Sequence, residues 1–377
     1  MPKLDLSLLK SAGAESDAKH DHGQKFRDAY GNAELFNANY KDNTAYSEPE
    51  RVQQLKRLDA VLELAGEWLT AKPLKQEGGA ISQAKAQKNA ARWAALAKIC
   101  EGCSNELIEM GYRPLSGHWM ENPLNGPSEH PNYWLERLDP KHRGASVLKG
   151  EYATWSVLQP GQKHADKSFF EFVDETRKGL PSVRYDKNKD NADATLRSIR
   201  RTEAQVMIDG GKLHKFAAGN TAGPAFDSGP LKTEFAGSGF AIFVWDHKQR
   251  IYSGLHIANA LHHSTPRGGK PVLCAGEWKT ASTGTIVMIT SKTGHYTTTP
   301  KEFKTFLEYL KAQNALTQQA ICVPDTSSQA KASWNAYGAL DWVNGGRTLV
   351  SKQSILQAVP GLDQDQKSRN FWLRLAG

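Results

Sequence analysis

The sequence predicts an α+β protein: an N-terminal helical region followed by a β-rich, mostly antiparallel domain. Three observations carry this. Between about 47 and 110, apolar residues recur at steps of three and four. Beyond about 204 they alternate, or form short runs bounded by glycine-rich turns. A single amphipathic helix then opens at Pro300. With 377 residues, the length suggests two domains, or one large domain with extensions. The expected division is a polar tail over 1–48, a helical domain with an aromatic, proline-rich connector over 49–150, a β-rich catalytic-type domain over 151–323, and a tryptophan-containing extension over 324–377.

Residues 1–48 are rich in Asp, Asn, Ala and Lys and show little periodicity. They read as a tail with one short helix at most, a segment that could serve an exported protein as a secretion signal. From Ser47 the chain reads Glu-Pro-Glu, acids at the positive end of a helix dipole. Leu55, Leu58, Leu62, Ala65 and Leu69 then mark one face, and Pro73 ends the helix. A second helix over 82–110 carries Ala86, Ala90, Trp93, Ala97, Cys100 and Leu107, with Gly111 as its stop. The two form a hairpin across Gly78-Gly79. Lys85, Lys88, Arg92 and Lys98 around Trp93 also fit a basic amphipathic calmodulin target; a core-packed helix with its lysines in water gives the same pattern.

Five prolines over 113–145 make an irregular connector, with Trp119 and Trp134 as anchors. Phe169, Phe170, Phe172 and Val173 suggest a short helix. Ala204, Val206 and Ile208 alternate into Asp209-Gly210-Gly211, a hairpin-type turn. A Gly/Pro-rich loop spans 217–239. Strands follow over 240–245, 251–253, 271–275 and 285–290, then a helix burying Phe303, Phe306, Leu307 and Leu310. Trp334, Trp342 and Trp372 argue that the last segment docks on the body.

Composition excludes several classes. Lys and Arg number 48 against 40 acids, a net charge of +8 that is spread along the chain, so no nucleic-acid surface is expected. The densest cluster, Arg197, Arg200 and Arg201, is either a solvated face or a phosphate or acidic-partner site. Mean hydropathy is −0.58 and no apolar run reaches the length of a membrane span. The first residues lack the apolar core of a standard secretory leader. Four cysteines are too few for a disulfide scaffold and fit a reducing compartment. Cys100 and Cys103 form a CxxC without the two further ligands a closed zinc site needs.

The informative residues lie between 250 and 296: Arg250-Ile-Tyr252, His262-His263-Ser264-Thr265, Gly276-Glu277, and Gly294-His295-Tyr296. They fall at or near the ends of consecutive predicted strands, where binding groups gather on a rigid scaffold. Each piece alone also has a structural explanation: a histidine bonded to serine, a charge on a hairpin, a cap for the next helix. Cys274 with His295 could suggest a thiol nucleophile, but Cys274 lies in a buried strand pattern. Two adjacent histidines without a third ligand make no metal site, and no metal is expected.

Residues 239–310 resemble the conserved module of plant IQ-motif calmodulin-binding proteins and their fungal and bacterial relatives. The features shared are the Phe-Val-Trp strand with Arg250-Ile-Tyr252, the His-His-Ser run, Gly-Lys-Pro-Val through Ala-Gly-Glu, and Thr-Gly-His-Tyr before a helix. No Ile-Gln followed by spaced arginines stands in the chain, so calmodulin binding is not carried over with the module. The chain is also similar to the CteC-like bacterial effector family of mono-ADP-ribosyltransferases, which modify a threonine of ubiquitin. That resemblance implies an ADP-ribosyltransferase-like domain, NAD as substrate, a host protein acceptor such as ubiquitin, and delivery into a host cytosol. The Arg, Ser-Thr-Ser, Glu-x-Glu series of many such enzymes is absent.

Such chemistry passes through an oxocarbenium-like state that a carboxylate stabilises. Glu277 is the first candidate and Glu234 the second. Tyr252 or Tyr296 could stack on nicotinamide, a flat cation. His262 or His263 could donate to the cofactor, with Ser264 and Thr265 orienting them. Arg250 could meet a pyrophosphate oxygen, and His295 could accept a hydroxyl proton. Two other functions remain open: a non-enzymatic protein binding calmodulin or another partner through the Trp93 helix, and a different enzyme, such as a hydrolase using Ser264 with a histidine.

Overall fold

The computed structural model describes residues 4–12, 21–41, 45–71, 83–115, 133–158, 161–165, 167–179, 203–257, 261–326 and 335–359. Trp119, Arg197, Arg200, Arg201, Trp334, Trp372 and the Gly78-Gly79 turn lie outside them. The chain divides into two compact units, Met1–Ser182 and Val183–Gly377.

The first unit is helical: α1 (Ser7–Ser11), α2 (Asp21–Ala38), α3 (Glu48–Ala71), α4 (Gln83–Glu109), α5 (Trp134–Leu138), α6 (Ala145–Ser156) and α7 (Phe169–Thr176). The polar tail expected over 1–48 is corrected here. Phe26, Ala29, Tyr30, Ala33 and Phe36 make a buried stripe on α2 that packs along α3. The Asn37 side chain accepts from the Leu4 amide at 2.9 Å and donates to the Leu4 carbonyl at 2.8 Å. Glu50 accepts from the backbone and hydroxyl of Ser47 at the start of α3, as its acidic first turn suggested.

α4 runs on through Gly102 to Glu109, two residues before the expected stop at Gly111. The Trp93 face of α4 is core. Trp93, Leu96, Ile99, Cys100 and Cys103 are buried, and buried Arg92 donates from Nε to the Ala12 carbonyl at 3.1 Å. Lys88 and Lys98 are exposed. Burial pushes both thiols well above the ordinary cysteine range, so neither is a ready nucleophile.

The second unit is built on a nine-stranded sheet ordered β11-β10-β9-β8-β6-β7-β1-β2-β3. Its strands are β1 (Gln205–Asp209), β2 (Lys212–Ala217), β3 (Thr221–Ala225), β6 (Ala241–Trp245), β7 (Ile251–Gly254), β8 (Cys274–Thr280), β9 (Ile286–Thr290), β10 (Ile321–Val323) and β11 (Tyr337–Gly338). β4 (Lys232–Thr233) and β5 (Gly237–Ser238) form a separate hairpin. All pairings are antiparallel except β9 with β10. That pair is joined through α8 (Pro300–Ala312), because parallel neighbours need a crossover. Two short helices follow, α9 (Ala339–Val343) and α10 (Lys352–Ala358).

Alternation along the strands sends residues to two cores. Phe243, Trp245, Ile251, Cys274 and Trp278 meet Phe303, Phe306, Leu307 and Leu310 of α8. The Phe243 and Phe306 rings stack at 4.9 Å. Burying each large apolar side chain there contributes roughly 1.5–3 kcal/mol. The opposite face meets Ala236 and Phe240 of the β4–β5 region and Ile355 and Val359 around α10. Trp342 is buried in the α8 core, which docks this part of the final segment.

Candidate functional site

Four histidines from three stretches meet in the second unit. His256 follows β7, His262 and His263 begin the turn before a short 3-10 helix (Thr265–Arg267), and His295 lies between β9 and α8. Ring centroids are 5.4 Å apart for His256 and His262, and 4.9 Å for His262 and His295. His263 stands 6.2 Å from both His256 and His295. His262, His263 and His295 are buried, whereas His256 is half-buried.

Local bonds fix this arrangement. The His262 amide donates to Thr265 Oγ1 at 2.9 Å, and the His295 amide to Thr293 Oγ1 at 3.2 Å. His262 Nδ1 lies 3.4 Å from His256 Nε2. His263 Nε2 lies 3.0 Å from the Gly276 carbonyl, an acceptor that sets Nε2 as the protonated nitrogen. Burial, with His295 and His256 nearby, pushes the His263 pKa well below its ordinary value and keeps the ring neutral.

Glu277 follows Gly276 on β8. It is 3 % exposed, and its Oε2 accepts from the Thr233 hydroxyl at 2.8 Å and the Ala236 amide at 3.0 Å. Burial raises its pKa to about 7, against the opposing pull of Thr233, Ala236 and Lys292; Glu234 adds to the rise. The carboxyl therefore fastens the β4–β5 hairpin to the sheet. The same hairpin reaches the histidines, because the Lys232 carbonyl accepts from the His256 amide at 3.1 Å. Gly276 must be glycine: an added Cβ would lie 2.0 Å from the Thr290 carbonyl oxygen and 2.8 Å from the Phe243 ring.

A second polar group sits at the end of β6. Buried Asp246 accepts from Arg250 Nε at 2.9 Å and Nη2 at 2.6 Å, with Arg267 Nη1 at 3.6 Å. Burial alone would raise its pKa, but Arg267 and Arg250 outweigh that and hold it below the ordinary aspartate value.

The structure thus gathers His262, His263, His295 and Thr265, and adds His256. Ser264 is fully buried, its carbonyl accepting from the Gly269 amide at 3.0 Å. Tyr296 is fully buried and donates to the Lys270 carbonyl at 3.0 Å. Tyr252 is buried beside Asp246 under the Arg250 guanidinium, 5.8 Å from its ring. Tyr252 and Glu277 share the face opposite α8, but the strand spacing sets their Cα atoms about 12 Å apart. Glu234 is exposed on the hairpin tip. So His262 and His295 converge; Glu277 and Tyr252 occupy separate positions, each engaged by its own neighbours. The sequence reading missed His256, Thr233 and Asp246. His256 offered a signal, a third histidine six positions before the pair; Asp246 offered one in the Asp-x-x-x-Arg spacing of a turn.

Comparison with known proteins matches plant sequences. The chain is 26% identical over 241 residues to IQ domain-containing protein IQM3 of Arabidopsis thaliana, covering 62% of this chain and 48% of that protein. It is 24% identical over 185 residues to IQ domain-containing protein IQM1 of the same plant, covering 48% of this chain and 34% of that protein. The chain therefore spans about half or less of the length of these relatives. The longer match exceeds the whole second unit, so it reaches into the helical unit. No family model and no solved structure matches. The chain is thus distantly similar to plant IQ domain-containing proteins.

Proposed function

We propose that this chain works by binding a protein partner, with calmodulin the first candidate. The observation that carries partner binding is the similarity to two IQ domain-containing proteins over much of the chain; with no Ile-Gln motif in this chain, a calmodulin contact lies elsewhere than in such a motif. The net charge of +8 suits an acidic partner. The apolar face of α4 is not the contact while α4 remains packed, because Trp93, Leu96 and Ile99 are buried. Exposed basic side chains such as Lys88 and Lys98 can contribute without unfolding. Passing the full chain over immobilised calmodulin tests this. Retention in calcium and release by chelator supports the proposal. No retention in either, with a known target retained on the same column, removes calmodulin.

A second reading is favoured by the converging histidines. Here the second unit is an NAD-dependent mono-ADP-ribosyltransferase acting on a host protein, with a threonine of ubiquitin as the acceptor, after delivery into a host cytosol. His295 would take the acceptor hydroxyl proton as the ribosyl carbon leaves nicotinamide and bonds to the threonine oxygen. Glu234 is exposed and so open to a ribose from solvent, whereas Glu277 is buried and accepts from Thr233 and Ala236. Transfer of label from NAD to ubiquitin, lost in Glu234→Gln or His295→Ala, supports this reading. No label in ubiquitin or in a cell lysate removes it.

A further inference from the structure

Lys279 is the one partly exposed residue of β8, a strand otherwise buried from end to end. Alternation sends Cys274 and Trp278 into the α8 core, so Glu277 and Lys279 lie on the opposite face. A lysine beside a core normally reaches for a carboxylate. Lys279 does not: among the described residues it makes no ion pair and no side-chain hydrogen bond. Glu277, two positions back on the same face, is turned to the β4–β5 hairpin, where its Oε2 accepts from Thr233 and Ala236.

The neighbours of Lys279 are apolar. It pairs with Met288 of β9, and the register that sets Trp278 opposite Ala241 brings Lys279 level with Phe240 on its other side. Met288 and Phe240 are fully buried members of one core. Gly239 clears room for the amine: it turns at φ +80° without a side chain, and a Cβ there would stand 3.2 Å from Lys279 Nζ. An ammonium so placed loses hydration without gaining an anion, which favours the free amine over that of an exposed lysine. Burial lowers the Lys279 pKa below the ordinary lysine value. The Phe240 ring pulls the other way, but at 6.0 Å from Nζ it stands at the limit of a cation–π contact.

We propose that Lys279 is a reactive amine that condenses with a small aldehyde to form an imine. The ammonium first gives a proton to water. The nitrogen lone pair then attacks the carbonyl carbon, and the C=O π pair moves to oxygen. A proton passes from nitrogen to oxygen, giving a carbinolamine. The carbinolamine loses one water molecule as the C–O bond breaks and the C=N bond forms. Desolvation is an established way of making a lysine nucleophilic near neutral pH. The partial exposure of Lys279 leaves the nitrogen within reach of a small molecule. This activity depends on neither functional reading above.

The test is reductive trapping on the full chain. The protein is incubated with propanal and sodium cyanoborohydride at pH 7, which reduces the imine to a stable secondary amine, and the labelled lysines are mapped by mass spectrometry. Early in the reaction Lys279 should be labelled about 5-fold or more ahead of exposed Lys215 and Lys301. The lead should shrink at pH 10, where exposed amines also lose their protons. Lys279→Arg should abolish that label and leave the labelling of Lys215 and Lys301 unchanged. Far-ultraviolet circular dichroism at both pH values checks that each protein is folded. Lys279 labelled no faster than Lys215 and Lys301 at pH 7 in the folded chain would overturn the proposal. So would a lead equally large at pH 10, because access and not proton loss would then set the rate.

Discussion

His263 Nε2 and the Gly276 carbonyl oxygen lie 3.0 Å apart, a bond that ties the histidine turn to β8 one residue before Glu277. Gly276 is also the point of closest approach in the sheet, where a Cβ would meet Thr290 and Phe243. Gly276→Ala should therefore lower stability by about 3 kcal/mol, since strand backbone and a packed ring cannot both give way. Urea unfolding followed by tryptophan fluorescence measures the loss; an unchanged midpoint would show that β9 can shift.

Glu277 makes stability depend on pH. Its folded pKa of about 7 lies above the ordinary 4.5, so the folded state holds the proton more tightly than the unfolded chain. This contribution is full below about pH 4.5, falls as pH rises, and is lost above about pH 7. A shift of that size corresponds to about 3 kcal/mol. Glu277→Gln keeps an acceptor for Thr233 and Ala236 but cannot ionise. The variant should equal the wild type near pH 4 and exceed it near pH 8 in chemical denaturation. Parallel curves for the two proteins would contradict this.

Asp246 behaves in the opposite sense. Arg267 and Arg250 hold its pKa below the ordinary value, so its stabilising contribution is present above that value and disappears in acid. Asp246→Asn leaves two guanidinium groups without their shared anion. The expected cost at neutral pH is about 2 kcal/mol, discounted because Arg250 is partly exposed. The gap between variant and wild type in urea should narrow below the folded pKa.

Trp93 reports the core of the helical unit. It is 8 % exposed on α4, so Trp93→Ala should cost about 3 kcal/mol or more. Circular dichroism at 222 nm during heating should show the helical signal melting earlier. Lost calmodulin retention in that variant would then not identify Trp93 as a contact, whereas exposed Lys88→Glu and Lys98→Glu would leave the fold intact.

Parts of this were legible in the sequence. Helix α8 was legible from Pro300 and the Phe303, Phe306, Leu307 and Leu310 face, and the structure adds a capping box that the sequence reading did not name: Thr299 and Glu302 bond reciprocally, with Pro300 in the first turn. The alternating strands and the Asp209-Gly210-Gly211 turn were equally plain. Helix α2 was not, because its buried Phe26, Ala29, Ala33 and Phe36 are diluted by charged and amide residues that face water. The β9–β10 parallel pair is a long-range choice that no local pattern encodes. The same holds for the site. His262 and His263 are neighbours in sequence, but only the fold brings in His256 and His295. The fold also turns Glu277 toward Thr233, 44 positions away.

The most direct test of partner binding is isothermal titration calorimetry of the full chain with calmodulin, in calcium and again with chelator. Partner binding predicts saturable heat with calcium, weaker affinity at high salt or in Lys88→Glu/Lys98→Glu, and none with chelator. No heat in calcium from a correctly folded chain would contradict calmodulin as the partner.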